Sequence, residues 1–291
     1  KMGNYWQKFK EYSFPLYSFA IIGVIAEILK RWLLQYYGGS IEQGYFSISN
    51  NISLLVILIA GSITPIILRE FSIKAGNRDI KSLSIFINKY IPLFHSIACY
   101  FSIFLFFQTS KLVTMIGGTE FVYAKLPIAI MILYPIHYST SNMIYSFLFS
   151  TNQTIVYRNI GIFFRILSIP VTFIILAPSE YYGFSGGAVG YALMQLVTTI
   201  ISYNVFLWYS TKILQNTFSP IFIHQFVTII VFSILSYSSV KIIDYFINEI
   251  YLSFFLSGVF YTALVIYLTT FSSYIFKYHF SDITKMIKIN L

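Results

Sequence analysis

The sequence predicts an all-α polytopic membrane protein with about eight transmembrane helices, and three observations support that prediction. The 291 residues are 57% apolar and only 10% charged, with a mean hydropathy of +0.73, whereas a soluble domain is about 25% charged. Apolar stretches of roughly 20 residues, the length that a helix needs to cross the hydrocarbon, follow one another along most of the chain. Aromatic residues make up 20% of the sequence, and many tyrosines lie near the ends of these stretches, as in the interfacial belts of membrane proteins.

The predicted spans lie, in order, at about residues 13–37, 45–68, 87–107, 123–148, 155–177, 187–209, 219–240 and 250–275. Each is apolar on all sides and about twice as long as the ~10-residue alternating strands of a β-barrel, so helices are predicted. The longest connection on one side is residues 69–86, with Gly76 and Asn77 as its turn signal. The longest on the other side is residues 108–122. Neither is long enough for an extramembrane domain.

Basic residues are divided unequally between the two sides of this pattern. Of the 19 lysines and arginines, 13 fall beyond or at the span ends on the side that holds both termini, three do so on the other side, and three lie deeper within spans. The 13 are Lys1, Lys8, Lys10, Arg69, Lys74, Arg78, Lys81, Lys89, Arg158, Lys212, Lys277, Lys285 and Lys288, against Lys111, Lys125 and Lys241. Because cytoplasmic loops carry the excess of basic residues, both termini are predicted to be cytoplasmic. This topology accounts for the net charge of +9, and no nucleic-acid partner is predicted.

Four prolines lie within the predicted spans, namely Pro65, Pro92, Pro135 and Pro170. Each removes a backbone hydrogen bond and tends to kink or break its helix. Two interpretations remain open. The prolines are either hinges between alternating states of a transporter or the ordinary prolines that membrane helices tolerate.

The first span carries three ionisable residues on adjoining turns. Lys30 and Arg31 follow Glu27 by three and four residues, a spacing at which helical side chains meet. An ionisable group near the bilayer centre costs about 2.5–3.5 kcal/mol on insertion scales, so we expect these groups to line a water-filled cavity; the alternative for Arg31 is snorkelling to the interface. Two cations and one anion favour a phosphate or diphosphate ligand.

Arg165 lies near the middle of the fifth span, with no acidic residue within one turn. It is too central to snorkel easily, so we predict that it lines the same cavity. Its counter-ion is then supplied either by another span or by the substrate.

The remaining polar residues predict no chemistry. Cys99 is the single cysteine, and the four histidines, His95, His137, His224 and His279, are scattered. His95 and His137, the intramembrane histidines, either pack through hydrogen bonds or couple transport to protons. Interhelical hydrogen bonding explains the polar amides at membrane depth, and some of them can instead face a polar lumen: Asn50, Asn51, Asn142, Gln195, Asn204 and Gln225. No catalytic residue, metal or cofactor is predicted, and the chain is not expected to be an enzyme.

Four segments, taken in order, resemble one family of transporters. They are residues 9–53, 62–72, 115–131 and 181–194. They contain a Pro-Leu pair at the start of a lobe, a glycine-tyrosine turn after the first span, a proline near the end of the second, a glycine-acidic outside loop and a glycine-rich start of the sixth span. This arrangement resembles the polysaccharide flippases of the O-antigen type, in the multidrug/oligosaccharidyl-lipid/polysaccharide exporter superfamily.

The resemblance implies a division of the chain and a partner for it. Such flippases have two six-helix lobes, with extra C-terminal helices in some. Residues 1–210 then correspond to the second lobe, and residues 211–291 to two additional transmembrane helices and a cytoplasmic tail. Either a first lobe that precedes this sequence or a second copy of the chain is expected to complete the cavity.

The resemblance also implies a function, which is to move an undecaprenyl-diphosphate-linked oligosaccharide across the bacterial cytoplasmic membrane for O-antigen or capsule biosynthesis. Lys30, Arg31 and Arg165, together with Glu27, are then expected to bind the diphosphate. Family members often carry an Asp-Arg pair, of which Arg31 matches the arginine while Lys30 replaces the acid. That replacement makes the site more positive and puts any ion coupling through the acid in doubt.

Three alternatives remain open. A cation-coupled drug exporter of the same superfamily would favour an acidic cavity, yet Glu27 is the single acidic residue within the predicted spans. A non-transporting fragment or scaffold is the second alternative, since a lone second lobe cannot enclose a two-lobe cavity. A membrane polysaccharide polymerase or acyltransferase is the third. Polymerases usually carry a large outside loop with arginines, whereas the outside loops here are short and hold three lysines and no arginine.

Overall fold

A computed structural model describes residues 2–62, 64–77 and 79–277, and within these ranges the chain is helical and forms no strand. The helices are α1 (Met2–Gly61), α2 (Thr64–Gly76), α3 (Ile80–Phe107), α4 (Thr109–Gly117), α5 (Lys125–Ser150), α6 (Thr154–Leu176), α7 (Gly187–Ile213), α8 (Ser219–Phe246) and α9 (Ile250–Phe271). Seven helical segments in these ranges are long and apolar enough to cross a membrane. The predicted fold class, an all-α polytopic membrane protein, is therefore confirmed. Lys1, Arg78, His279, Lys285, Lys288 and the predicted tail beyond residue 277 lie outside the described residues.

α1 consists of two legs, residues 2–38 and 40–61, joined at Gly39. The φ of 73° and ψ of −175° at Gly39 are not helical, and the chain reverses there. The guanidinium of Arg31 lies 5.7 Å from the ring centroid of Phe46, although the 15 intervening steps of a straight helix would separate them by about 22 Å. α1, which counts as one of the seven helical segments, therefore supplies the first two predicted spans.

The second span is shorter than the predicted residues 45–68, because the helix ends at Gly61 and α2 starts at Thr64. A helix running through this point would need a hydrogen bond from residue 65 to the carbonyl of Gly61. Pro65 has no N–H to donate, and its ring clashes with that carbonyl. Pro65 therefore lies in the first turn of α2, where a proline is tolerated.

Both of the longest predicted connections are largely helical. α2 and the start of α3 occupy most of residues 69–86, with a turn near Asn77 between them. α4 and the 3-10 segment Gly118–Ala124 occupy most of residues 108–122. The hydropathy criterion missed these segments because they are too short or too polar to read as spans.

α5 is the central helix of the bundle, in contact with α1, α2, α3 and α7. α6 packs against α1 and α7, α8 packs against α3, and α9 packs against α8. The predicted boundary between residues 210 and 211 lies in the last turn of α7, and the two additional helices, α8 and α9, attach to the rest mainly through α3. Large apolar side chains remain exposed on the outer faces, for example those of Val24, Leu58 and Phe255, as expected where lipid is the solvent.

Candidate functional site

Glu27 lies at the centre of a cluster of charges. One of its carboxylate oxygens, Oε2, lies 3.0 Å from Nζ of Lys30 and 4.0 Å from Nη1 of Arg165. The other, Oε1, accepts a hydrogen bond from Nε of Arg31 at 3.3 Å. The structure therefore brings all four predicted site residues together. The counter-ion of Arg165 comes from another span, which is one of the two sources expected from the sequence.

Close approach of α1 and α6 puts Arg165 beside Glu27. A side chain at Gly161 would lie only 2.5 Å from the ring of Phe19, so glycine permits the two helices to touch there. One turn further along, Nε of Arg165 lies 3.8 Å from the position that a Cβ of Gly23 would take. The first leg of α1 and α6 run in the same direction, because Phe19 packs edge-on against Tyr157 near the start of α6 while Tyr37 contacts Phe173 near its end.

The cations differ in their exposure. The Lys30 side chain is only 3% exposed, whereas those of Arg31 and Arg165 are each 40% exposed. Arg31 turns back toward Glu27 and lies over the ring of Phe46 instead of extending away from the cluster. A buried ammonium is expensive without a partner, so Lys30 depends on Glu27, while the two guanidinium groups keep surface free for a ligand.

A polar cavity of about 210 Å³ lies next to this cluster, with Lys30 and Arg165 in its wall. The first leg of α1, α5, α6 and α7 all contribute to its lining. Four tyrosines and a set of small polar side chains form most of it: Tyr134, Tyr138, Ser141, Asn142, Tyr145, Tyr157, Ser168, Gln195, Thr198, Thr199 and Ser202. A cationic wall and neutral hydrogen-bonding walls together suit an anion attached to a hydroxyl-rich group.

Most of these lining residues were not predicted, although the sequence contains a signal for them. On α5, Tyr134, Tyr138, Ser141 and Tyr145 follow one another at intervals of four, three and four residues, which is the period of one helix face, and Asn142 adjoins Ser141. A polar stripe on an otherwise apolar membrane helix indicates a face turned away from lipid. Gln195, Thr198, Thr199 and Ser202 repeat the pattern on α7.

The predicted hinges differ in position. Pro92, Pro135 and Pro170 lie inside α3, α5 and α6. Pro65 lies at a helix start, as described above, so it does not interrupt a helix. The role of the other three as hinges stays a prediction.

The histidines of the spans lie away from the cavity but close to one another. The ring centroid of His95 is 5.6 Å from that of His137 and 6.1 Å from that of His224. Nε2 of His137 is 3.2 Å from the Gln225 amide oxygen, and Gln225 in turn donates to Asn204 at 3.1 Å. These contacts agree with packing through interhelical hydrogen bonds. Within the described ranges, no group of His, Cys, Asp and Glu side chains is arranged to hold a metal ion.

Comparison with models of protein families, with curated proteins and with solved structures gives no match for this chain.

Proposed function

We propose that this chain is the substrate-binding lobe of a flippase for an undecaprenyl-diphosphate-linked oligosaccharide. The observation that carries the proposal is the cluster of Lys30, Arg31 and Arg165 around one carboxylate, beside a polar cavity inside an apolar bundle. Charges at this depth are costly and mark ligand pathways in membrane proteins. The ligand that compensates this cost is an anion.

Charge supports a diphosphate ester as that anion. Three cations and Glu27 leave a net charge of +2, and a diphosphate esterified at both ends carries two negative charges. The arginines supply flat, forked donor groups that match phosphate oxygens, and Lys30 adds a point charge. A diphosphate that links a lipid to a sugar is held at the bilayer, because its lipid tail stays in the hydrocarbon.

The cavity supports a sugar as the group attached to the diphosphate. Tyrosine offers an apolar ring together with a hydroxyl, and the serine, threonine and amide groups around it supply further donors and acceptors for sugar hydroxyls. A volume of about 210 Å³ is smaller than the roughly 300–1,000 Å³ of pockets for drug-sized ligands. In this proposal the cavity therefore holds the diphosphate and the nearest sugar, and the remaining sugars contact a first lobe or a second copy of the chain.

A cation-coupled drug exporter fits the site less well. Glu27, the acid that such an exporter would use to attract a cationic drug, is already shared by three basic side chains. The cluster would repel a cationic ligand.

Arg165→Ala and Arg31→Ala test the proposal. We expect each to lower export of surface polysaccharide roughly tenfold or more, because a hydrogen bond to a charged group contributes about 1.5–3 kcal/mol. The measurement is the amount of surface polysaccharide in cells that depend on this protein, with the amount of protein in the membrane measured in parallel.

Arg158→Ala is the matched control, since Arg158 lies two turns before Arg165 on α6 and bonds only to its neighbour Asn159 among the described contacts. It should leave export near the wild-type level. Normal export by both Arg165→Ala and Arg31→Ala, at normal membrane levels, would refute the proposed function.

A further inference from the structure

A carboxylate at the centre of a site for an anion needs an explanation. Glu27 contacts all three cations that the proposed diphosphate would use. Its oxygens occupy the space nearest Lys30 and Arg31, so a phosphate oxygen that reaches these groups has to compete with the carboxylate. Anion binding alone would be stronger without Glu27.

The balance of charge between the cluster and its ligand indicates a role for the Glu27 carboxylate. Without Glu27, a bound dianion would take over as the partner that keeps Lys30 charged, and it would leave the cluster at +1. With Glu27 it carries +2, and the same dianion brings it to zero. A transport site must bind strongly enough to load its substrate and weakly enough to release it, and a residual charge deep in the membrane would oppose release.

Glu27 also has a second set of partners on α7. The hydroxyl of Tyr191 lies 3.5 Å from Oε1 of Glu27, and the amide nitrogen of Gln195 lies 3.4 Å from that hydroxyl. Tyr191 is fully buried and packs edge-on against Phe46 at 4.4 Å, so its hydroxyl is fixed in place. When a phosphate binds the three cations, the Glu27 carboxylate can still accept a hydrogen bond from the Tyr191 hydroxyl. Displacing a carboxylate that keeps a hydrogen bond costs less free energy than displacing one that is left without a donor.

We infer that Glu27 is an internal counter-anion, which the diphosphate displaces from Lys30, Arg31 and Arg165 when it binds and which returns to them when the substrate leaves. The inference rests on the proposed function and deepens it. Glu27 sets the affinity to a level that permits release, and it favours ligands with two negative charges over those with one, because one charge does not offset the loss of its three contacts.

The first test is Glu27→Gln in the purified full chain, reconstituted in phosphatidylcholine nanodiscs and titrated with inorganic pyrophosphate by calorimetry. Glutamine keeps the size of the side chain and removes its charge. We expect pyrophosphate to bind at least roughly tenfold more tightly than to the wild type, since removal of a competing charge a few ångströms away is worth more than one factor of ten. Export measured in cells should fall at the same time, because release becomes slow.

Glu11→Gln is the matched control. It removes one negative charge from the same leg of α1, but Glu11 is exposed and bonds to Gln7, about 24 Å along the helix from Glu27. Its pyrophosphate affinity and export should both match the wild type.

Two further variants keep the inference testable if Glu27→Gln does not fold. Glu27→Asp keeps the charge on a shorter arm, so the carboxylate competes less well and pyrophosphate affinity should rise by a smaller factor. Tyr191→Phe removes only the alternative hydrogen-bond donor, so displacement of Glu27 becomes costlier and pyrophosphate should bind several-fold more weakly.

The outcomes separate this inference from the proposed function. If pyrophosphate binds to the wild type and Arg165→Ala weakens it, but Glu27→Gln and Glu27→Asp bind no more tightly than the wild type, the counter-anion role is wrong and the flippase proposal stands. If the wild type does not bind pyrophosphate and Arg165→Ala exports normally, both are wrong.

Discussion

Asp79 shows how one side chain determines where a helix begins. Its carboxylate accepts a hydrogen bond from the backbone N–H of Ser82 at 2.9 Å, which makes Asp79 the N-cap of α3. Hydrogen bonds from the hydroxyl and the backbone N–H of Ser82 lower the pKa of Asp79 below its ordinary value of 3.8. A lowered pKa in the folded state means that the stabilisation is complete above the ordinary pKa and is lost as pH falls through the lowered one.

Asp79→Ala should therefore lower the thermal unfolding midpoint at about pH 7, with the difference from the wild type shrinking below about pH 3.8. The measurement is unfolding followed by circular dichroism in detergent over this pH range. Asp79→Asn serves as the control, because asparagine also caps helices but has no charge to lose. A constant difference between Asp79→Ala and the wild type across the range would contradict the ionic contribution.

At the residue scale, local sequence predicted the Glu27–Lys30–Arg31 group because helical spacing determines those contacts. Helical spacing could not predict the pairing of Glu27 with Arg165. It depends on how α1 crosses α6, and the close contact at Gly161 that permits the crossing has no local signature. The sequence therefore predicted which residues belong to the site but left open what Arg165 pairs with.

Among the helices, the hairpin at Gly39 depends on a single backbone conformation. Its φ of 73° with ψ of −175° lies in a region that is essentially restricted to glycine. The turn directs the second leg back along the first, so that Phe46 reaches Arg31 and the carboxylate of Glu42 accepts a hydrogen bond from the N–H of Ala188 at the start of α7. The position of the cationic cluster thus depends on this turn.

Gly39→Ala should destabilise the protein by about 1–3 kcal/mol, because alanine is strained in this conformation, even though a Cβ there would meet no other atom within 4 Å. Gly44→Ala is the control, since Gly44 is helical and its Cβ would also be in open space. That change should stabilise the protein by up to about 1 kcal/mol, because alanine is the better helix former. Reversible unfolding in mixed micelles measures both, and equal effects of the two changes would contradict the role of the turn.

Hydropathy predicted the helical spans well because the solvent around them requires long apolar helices. It failed where that requirement does not apply. α2 and α4 are short and lie at the ends of the bundle, and the break before Pro65 depends on a single backbone hydrogen bond. The polar face of α5 was missed for a different reason, since averaging hydropathy over a span removes the difference between its faces.

For the whole molecule, the fold places the connections on two opposite ends of the bundle. Phe71 of α2 packs on Phe147 near the end of α5, so the turn at Asn77 lies at the same end as the α5–α6 connection. Ser179 follows the far end of α6. Among the described residues, the excess of basic side chains lies at the same end of the bundle as Asn77, and we propose that this end is the cytoplasmic one.

Single cysteines at these two positions test the orientation. A membrane-impermeant maleimide added to intact cells should label Ser179→Cys, and it should label Asn77→Cys only after the membrane is opened. Native Cys99 is fully buried and should stay unlabelled. The protein without either substitution is the control for this. Labelling of Asn77→Cys in intact cells, with Ser179→Cys protected, would reverse the proposed topology.

The spacing of the charges along the chain has a consequence for biosynthesis. Glu27 is paired by Lys30 and Arg31 within one turn of its own helix, so these charges can neutralise one another as soon as that turn forms. Arg165 is translated 134 residues after Arg31, on the order of ten seconds later at ordinary rates of synthesis. The first hairpin can thus enter the bilayer with its carboxylate already compensated. Arg165 then enters a membrane that already contains its partner Glu27.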